Sequence, residues 1–300
     1  MKPQLLKVAT GPAQSFSVRR DLVPFFNNKW HYHTELELIH LEKGSGMQFV
    51  GDSIKNFGNG DIVLLGSNLP HYWRFDTPQL MQHELSAADI TVTHFNESFW
   101  GDKFLTLPET NAIKNLLERA QRGIQVLGHT RKQVALLMQK MLDAHTIKRL
   151  LLLLEILERI AQSKEISYLS SVAFVPNLQK ADNNRINAIY EHSLANYRNK
   201  ITLNEIASVA NISPHSFCRY FKTHTGKTYS GFLLEYKVGV ACKLLIEDKL
   251  SIQQICYETG FNNFASFYKS FKKITKKTPL AYQKDFNSNR KDDYLNDKIV

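Results

Sequence analysis

The spacing of apolar and polar residues changes along the chain, from strand-like alternation to a helical period. Before residue 100, short apolar and β-branched runs are separated by turn residues such as Gly-Ser-Gly at 44–46. The runs occur at 36–42, 47–50, 62–65 and 90–95. Many short strands at close spacing predict a small β-barrel or sandwich. We place this β-domain at residues 1–105.

Residues 106–162 are predicted to be helical, because apolar residues recur there three and four positions apart. The helical stretches are 113–120, 134–141 and 147–160. The last stretch contains five consecutive leucines, 150–154, which is more than one packed face requires. We therefore expect a second buried face, against the β-domain or against another subunit. A homodimer contact is the favoured interpretation.

The rest of the chain is predicted to be a linker followed by helices. Residues 163–181 have no clear period and contain Pro176, which indicates a linker. Helical pattern resumes at 182 and continues to 286, and residues 287–300 form a polar tail. No apolar run is long enough for a signal peptide or a membrane span. We therefore expect a soluble, cytoplasmic protein with no membrane partner.

The predicted C-terminal domain contains an internal repeat. TLNEIASVANISPHSFCRYFKTHTGKT (202–228) parallels SIQQICYETGFNNFASFYKSFKKITKKT (251–278). A hydroxyl residue begins each copy and Glu or Gln follows three positions later, which is the capping-box spacing at a helix start. Asn211 and Gly260 then mark a turn before a second helix. A short helix, a tight turn and a second helix predict two helix-turn-helix units.

In a helix-turn-helix unit the second helix enters the DNA major groove. Phe217 and Phe221, and their counterparts Phe267 and Phe271, are expected to face the core. The outward residues expected to contact DNA are His215, Ser216, Arg219, Lys222, Phe264, Tyr268, Lys269 and Lys272. Arg219 suits a bidentate contact to guanine, whereas Lys222 and Lys272, one turn further on, suit phosphates.

Charge is concentrated in this same part of the chain. Residues 198–284 contain 14 lysines and arginines against 5 aspartates and glutamates, which is +9 of the chain's net +10. A basic module beside a nearly neutral one indicates a polyanionic partner for one domain only. Cys218, Cys242 and Cys256 have no zinc-site spacing, and buried thiols in a reducing cytoplasm are expected.

These motifs resemble the AraC/XylS-type regulators over the C-terminal hundred or so residues. The matching positions are IA (206–207), S-x-x-x-F-x-R-x-FK (213–222), A-x-x-LL (241–245), GF (260–261), F-x-K-x-FKK (267–273) and TP-x-x-Y (278–282). Lys237 and Lys269 depart from the family's usual arginine. The resemblance implies promoter DNA and RNA polymerase as partners, and it favours an activator of carbohydrate-related or other catabolic genes.

Candidate chemistry in the first domain is concentrated around a histidine-rich segment. His31, His33, Glu35 and Glu37 alternate, so on one strand they would share a face. With His71 this face can bind a divalent metal, contact an organic effector, or simply line the barrel. Trp30 and Trp73 are aromatic residues close in sequence to His31 and His71, and their rings suit stacking on a sugar. They are equally plausible as core residues.

The segment 31–44 also fits the first cupin motif, H-x-H-x(3)-E-x(6)-G, and the second motif is partly kept at 60–71. The first domain thus resembles the cupin-like ligand-binding domain of these regulators, which implies a small-molecule effector, possibly a sugar. The residues expected to bind it are His31, His33, Glu37, His71, Trp30 and Trp73. We expect no metal and no cofactor.

The predicted fold class is therefore α+β multidomain. It has an N-terminal cupin-like β-barrel with a helical dimerisation segment, and a C-terminal all-α double helix-turn-helix domain. The predicted function is ligand-responsive, sequence-specific transcription regulation without enzyme activity. The alternatives are a metal-dependent cupin enzyme fused to a DNA-anchoring module, and a non-specific architectural DNA binder.

Overall fold

The computed structural model describes residues 4–5, 15–23, 30–76, 88–172, 174 and 183–285. The chain divides into two compact units, Met1–Asn187 and Ala188–Val300. The first contains the sheets and the second is helical, which confirms the predicted α+β class. The expected tail at 287–300, and most of the second half of the expected linker, lie outside the described residues. No helix within the described ranges is long and apolar enough to cross a membrane.

Eleven strands are present in the described part of the first unit. They are β1 (Gln4–Leu5), β2 (Ser17–Val23), β3 (His31–Tyr32), β4 (Leu36–Lys43), β5 (Gly46–Val50), β6 (Ser53–Phe57), β7 (Asp61–Leu65), β8 (His71–Phe75), β9 (Ala88–Phe95), β10 (Ile124–Val126) and β11 (Ile166–Tyr168). The strands predicted at 36–42, 47–50, 62–65 and 90–95 are β4, β5, β7 and β9, so all four predictions are confirmed.

The strands form two sheets, with strand orders β1-β3-β8-β5-β6 and β11-β10-β7-β4-β9-β2. Among the described strands none is hydrogen-bonded into both sheets, so these strands form a two-sheet sandwich and not a closed barrel. Val50, Phe57 and Trp73 from the first sheet share one core cluster with Ile39, Val63 and Ile90 from the second. The two sheets therefore pack face to face.

The second sheet is apolar on both faces. Ile39 and Leu41 of β4 face the first sheet, whereas Leu36 and Leu38 of the same strand belong to a separate cluster that includes the helices. This explains the continuous apolar run at 62–65 in β7, since a strand covered on both faces loses its polar alternation.

Three helices cover the outer face of the second sheet: α1 (Asn111–Ala120), α2 (Gly128–Asp143) and α3 (Thr146–Gln162). They confirm the three predicted helical stretches. One face of α3, including Leu153 and Ile156, is buried in the shared cluster. Ile147 and Leu151 on α3 remain 63% and 52% exposed.

The predicted linker is wrong over its first half. β11 pairs with β10, and β10 pairs with β7, so residues 163–170 belong to the first unit. Ser170 is buried, and its hydroxyl donates to the Val50 carbonyl at 2.9 Å. Strands of three residues are too short to show alternation. For this reason the sequence did not predict β11, or β10, which lies within the segment predicted to be helical.

The second unit is all-α in its described part, as predicted. Its helices are α4 (Asn183–Asn196), α5 (Leu203–Val209), α6 (Pro214–Thr225), α7 (Tyr229–Glu247), α8 (Ile252–Glu258) and α9 (Phe264–Thr275). Helical backbone resumes at residue 279 and continues to 285. Helix α4 begins in the first unit by chain position and ends in the second.

Candidate functional site

The first helix of each repeat copy is held by a complete capping box. The Thr202 hydroxyl accepts the Glu205 N–H at 3.2 Å, and the Glu205 carboxylate accepts the Thr202 N–H at 3.3 Å. In the second copy the Ser251 hydroxyl accepts the Gln254 N–H at 3.2 Å, and the Gln254 side-chain oxygen accepts the Ser251 N–H at 2.9 Å. Both predicted capping boxes are confirmed, and they fix where α5 and α8 begin.

The turn in each copy uses left-handed backbone, as the sequence predicted. Asn211 has φ 52° and Gly260 has φ 73°. At Gly260 a side chain is excluded for a second reason: a Cβ there would lie 2.7 Å from the Arg198 carbonyl oxygen. The main chain before α5 therefore packs directly on the turn of the second copy.

The second helices, α6 and α9, are anchored by the predicted aromatic pairs. Phe217, Phe221, Phe267 and Phe271 are fully buried. The ring of Phe271 packs edge-on against Tyr282, with centroids 5.6 Å apart. The remaining face of each helix is therefore directed outward.

On α6, three of the four predicted DNA-contacting residues are exposed: His215, Arg219 and Lys222. Ser216 differs, since its side chain is half-buried and accepts a hydrogen bond from the Ser213 hydroxyl at 3.1 Å. It is thus partly engaged at the helix N-cap. Cys218 is also exposed, which corrects the expectation that all three thiols are buried; it lies between the two core phenylalanines, on the outward face.

On α9, Phe264, Lys269 and Lys272 are exposed, and Tyr268 is half-buried. The Tyr268 ring lies 4.8 Å from the Phe264 centroid and 6.2 Å from the Phe267 centroid. Tyr268 therefore bridges the core and the surface, and Phe264 presents the larger free aromatic surface.

Helix α7 contacts α6 on one side and both helices of the second copy on the other. Lys237 of α7 donates from Nζ to the Gly260 carbonyl at 2.7 Å. Burial lowers the pKa of Lys237. This lysine fastens α7 to the second turn, a structural role that the sequence marked only as a departure from arginine.

A second candidate site lies inside the first unit, around the buried carboxylate of Glu37. His33 Nε2 lies 3.1 Å from Glu37 Oε2, and His94 Nε2 lies 2.9 Å from the same oxygen. His71 Nε2 is 3.6 Å away. The site brings together His31, His33, Glu37 and His71, as predicted from the sequence.

His94 is the member of this site that sequence reasoning missed. It lies on β9, and the register of β4 and β9 places His94 directly opposite Glu37. The prediction that residues 31–37 form one strand is wrong for a related reason. His31 belongs to β3 and His71 to β8 of the first sheet, whereas Glu37 belongs to β4 of the second. These two imidazoles therefore meet the carboxylate across the sandwich, and His94 meets it from the neighbouring strand of the same sheet.

The imidazoles around Glu37 stabilise its ionised form. Burial favours the neutral acid, but hydrogen bonds from His33 and His94, together with the nearby His71 imidazole, outweigh it and hold the pKa of Glu37 well below its ordinary value. Burial opposes charge on His33 also, yet the hydrogen bond to Glu37 raises its pKa above the ordinary value. Burial lowers the pKa of His94. The cluster therefore favours ionised Glu37, and the shifts of His33 and His94 run in opposite directions.

The same residues fit a divalent cation. One donor atom from each of His31, His33, Glu37 and His71 lies within 4.8 Å of the others. Nδ1 of His33 faces the Glu35 carbonyl at 2.9 Å, and Nδ1 of His71 faces the Leu69 carbonyl at 2.8 Å. A hydrogen bond from Nδ1–H to a backbone carbonyl leaves Nε2 free to bind a metal, and ligating histidines usually have such a hydrogen bond.

The two tryptophans expected to stack on an effector, Trp30 and Trp73, are both buried. Trp73 packs edge-on against Phe57, with centroids 5.5 Å apart. This geometry is that of a core residue, and stacking on a ligand stays a prediction.

Comparison with known proteins adds to this geometry. Residues 206–285 match the family model described as "Helix-turn-helix domain". The chain is 23% identical over 267 residues to the HTH-type transcriptional regulator YdeC of Bacillus subtilis, covering 85% of each chain. It is 26% identical to the Msm operon regulatory protein of Streptococcus mutans, covering 84% of this chain and 85% of that one. A solved AraC-type DNA-binding protein from Chromobacterium violaceum is 24% identical over 34% of this chain and 91% of that chain, with a TM-score of 0.33.

Two capped helix-turn-helix units joined by one long helix define the class: this is a helix-turn-helix DNA-binding protein. The match at 206–285 assigns these residues to a helix-turn-helix domain, and over most of its length the chain is similar to proteins named as an HTH-type transcriptional regulator and an operon regulatory protein.

Proposed function

We propose that this regulator binds promoter DNA through both helix-turn-helix units and that a small molecule in the first unit controls its action. The observation that carries DNA recognition is the pair of outward faces on α6 and α9, each with exposed basic residues. In this proposal His215, Arg219 and Lys269 contact base edges, and Lys222 and Lys272 contact phosphates. We further propose RNA polymerase as a partner, activation of catabolic genes, and action in the cytoplasm.

The DNA proposal is tested by competition binding at physiological salt. A labelled promoter fragment from the regulated gene is challenged with unlabelled random DNA. The proposal expects the random DNA to compete at least about a thousandfold more weakly, the lower end for specific regulators. Equal competition by the two DNAs would reject specific reading and favour the architectural binder.

The effector is proposed to act at the Glu37 cluster, since buried charged and polar groups there can be re-paired by a ligand. Sugars are the first class to test. A panel of mono- and disaccharides should contain a member that raises the thermal midpoint of the first unit, because a ligand that binds only the folded state stabilises it. His71→Ala should abolish that shift, whereas His145→Ala, at an exposed position, should retain it.

A homodimer is proposed through α3, because Ile147 and Leu151 lie one helical turn apart and are both exposed. Sedimentation equilibrium should give a dimer for the unchanged protein and a monomer for Leu151→Glu, with unchanged circular dichroism. A monomer for both proteins would reject the dimer.

A divalent cation is a second candidate ligand of the first unit, favoured by the four donor atoms within 4.8 Å. His31, His33, Glu37 and His71 would hold it, and it would supply a fixed positive charge beside the carboxylate. Metal analysis of purified protein should then give about one iron, manganese or zinc per chain, reduced in His71→Ala and kept in His145→Ala. Metal-free protein that binds DNA normally would reject both this candidate and the cupin-enzyme alternative.

A further inference from the structure

The two DNA-facing helices differ in chemistry although they share one framework. The core positions repeat at an offset of 50, so that Phe217 and Phe221 correspond to Phe267 and Phe271. At the same offset, Pro214 of α6 is replaced by Phe264 of α9, and His215 is replaced by Ala265. All four of these outward positions are exposed. The outward surface at the start of α6 therefore includes a polar imidazole, whereas the outward surface at the start of α9 is apolar.

Phe264 exposes an aromatic ring at the start of α9. Its side chain is 42% exposed, and it occupies the first turn of α9, just after the N-cap residue Asn263. The N-terminal turn of a recognition helix is the part that reaches base edges. An apolar ring at that place is better matched by an apolar group of the DNA than by water.

The ring of Phe264 is also held in place before any DNA arrives. Its centroid lies 4.8 Å from the Tyr268 ring and 6.2 Å from the Phe267 ring. Since Phe267 is fully buried, Phe264 is braced against the core of the unit. A braced ring loses little conformational freedom on binding, which favours its use as a contact residue.

The major groove offers one apolar feature for such a ring, the 5-methyl group of thymine. Phe and Ala are side chains that contact this methyl group, whereas arginine is the usual partner of guanine O6 and N7. The exposed guanidinium on these two helices is Arg219, on α6; the corresponding position of α9 is Lys269.

We propose that α9 recognises thymine methyl groups through Phe264 and Ala265, and that α6 recognises guanine through Arg219. This inference rests on the proposed function, that both units read DNA. It adds that the operator is asymmetric, with a thymine-bearing half-site under α9 and a guanine-bearing half-site under α6. Lys222 and Lys272 hold equivalent positions in the repeat, so the same phosphate contacts set both helices in the groove.

The test uses the full-length protein and an operator selected from random DNA. Deoxyuridine replaces thymine, one half-site at a time, which removes the methyl group and leaves base pairing unchanged. In the α9 half-site each contacted methyl should contribute about fourfold to affinity, the equivalent of about 0.8 kcal/mol for one buried carbon group. Phe264→Ala should bind more weakly and should no longer respond to deoxyuridine.

Two controls separate recognition from folding. Phe264→Leu keeps an apolar contact and should retain most of the response to deoxyuridine. Arg219→Ala should keep the full response in the α9 half-site, and it should lose the response to 7-deazaguanine, which lacks N7, in the α6 half-site. Circular dichroism at the helical band checks that each variant is folded.

The outcomes distinguish this inference from the function on which it rests. A selected operator whose binding is indifferent to deoxyuridine, or equally weakened in unchanged protein and Phe264→Ala, would overturn thymine reading while leaving sequence-specific binding intact. Selection of no preferred sequence would overturn both. Loss of the deoxyuridine response confined to Phe264→Ala supports the proposal.

Discussion

Buried polar side chains distinguish the interior of the first unit from an ordinary sheet core. Glu37 is balanced by hydrogen bonds from its neighbouring imidazoles. Gln48 on β5 is not balanced: it is 1% exposed, and neither of its amide atoms has a hydrogen-bond partner among the described residues. A buried amide without partners destabilises the folded state, typically by about 1–3 kcal/mol.

Replacement of Gln48 by a side chain of similar length should therefore stabilise the first unit. Gln48→Met is expected to raise the free energy of unfolding by about 1 kcal/mol, since it removes the unpaired amide and keeps the volume. Trp30, Trp73 and Trp100 all lie in the first unit, so urea unfolding followed by tryptophan fluorescence reports on that unit.

Gln139→Met, at an exposed position on α2, is the control and should change stability by less than about 0.5 kcal/mol. A clear loss of stability in Gln48→Met would mean that the amide has a partner in solution.

The residues of the first-unit site were predictable only in part. The spacing of His31, His33 and Glu37, with His71, identified four members because motif spacing is visible in sequence. His94 was not predictable, since it joins Glu37 through the pairing of β4 with β9, and strand register cannot be read from one strand. Burial of Trp30 and Trp73 is likewise a property of the packed sheets.

At the scale of elements, capping boxes determine where the first helix of each helix-turn-helix unit begins. The same reciprocal pair of bonds begins α5 and α8. Ser251→Ala should lower the stability of the second unit by about 1 kcal/mol, because it leaves helix-start N–H groups without an acceptor. Urea unfolding followed at the helical circular dichroism band measures this change.

Ser266→Ala, at an exposed position within α9, serves as the control and should stay within about 0.5 kcal/mol. If Ser251→Ala is as stable as this control, the capping box contributes nothing to the second unit.

The first turn of helix α2 contacts the carboxylate of Glu165, which lies in the segment that the sequence predicts to be a linker. Glu165 accepts the Thr130 N–H at 2.7 Å and the Thr130 hydroxyl at 2.9 Å. The hydrogen bond from the Thr130 backbone is the main reason that the pKa of Glu165 is lowered from its ordinary 4.5. A lowered pKa means that the stabilisation is complete above the ordinary value and is lost as pH falls through the lowered one.

Glu165→Gln should consequently be less stable than the unchanged protein at pH 7, and the difference should shrink as pH falls below the ordinary carboxyl pKa of 4.5. Urea unfolding by tryptophan fluorescence at a series of pH values measures the difference. Glu158→Gln, an exposed carboxylate on α3, is the matched control. A Glu165→Gln deficit that is equal at every pH would contradict the account.

Elements with several repeats of their period were predictable from sequence, whereas the shortest were not. Strands β4, β5, β7 and β9 and helices α1 to α3 were predicted because apolar spacing repeats within each of them. β10 and β11 have three residues each, which is too few to define a period. β10 pairs with β7 and β11 pairs with β10, which brings residues up to Ser170 into the first unit and corrects the linker.

At the scale of the whole molecule, the two units differ in net charge. Residues 198–284 carry +9 of the net +10. Phosphate contacts release counterions, so affinity for DNA should fall steeply with salt. Lys222→Ala and Lys272→Ala should each reduce the slope of log affinity against log salt by about one.

Lys243→Ala is the control for this slope, because Lys243 belongs to α7 and not to either second helix, and it pairs with Glu247 at 3.7 Å. Its slope should match that of the unchanged protein. An unchanged slope for both Lys222→Ala and Lys272→Ala would show that these lysines do not contact phosphates.

The two-unit organisation was predictable because composition, charge and period all change along the chain. Of the two arrangements predicted, barrel or sandwich, the described strands form a two-sheet sandwich. The choice depends on hydrogen bonds between edge strands, which composition does not encode. The prediction of two helix-turn-helix units is confirmed, because the internal repeat at 202–228 and 251–278 contains the same helix-turn-helix pattern twice.

The most direct test of the central claim is selection of DNA from a random-sequence pool by the full-length protein at physiological salt. We expect one bipartite motif with half-sites one helical turn, ~34 Å, apart. Arg219→Ala should relax one half-site and Phe264→Ala the other. Recovery of no motif, or of a single half-site unaffected by either variant, would contradict reading by two helix-turn-helix units.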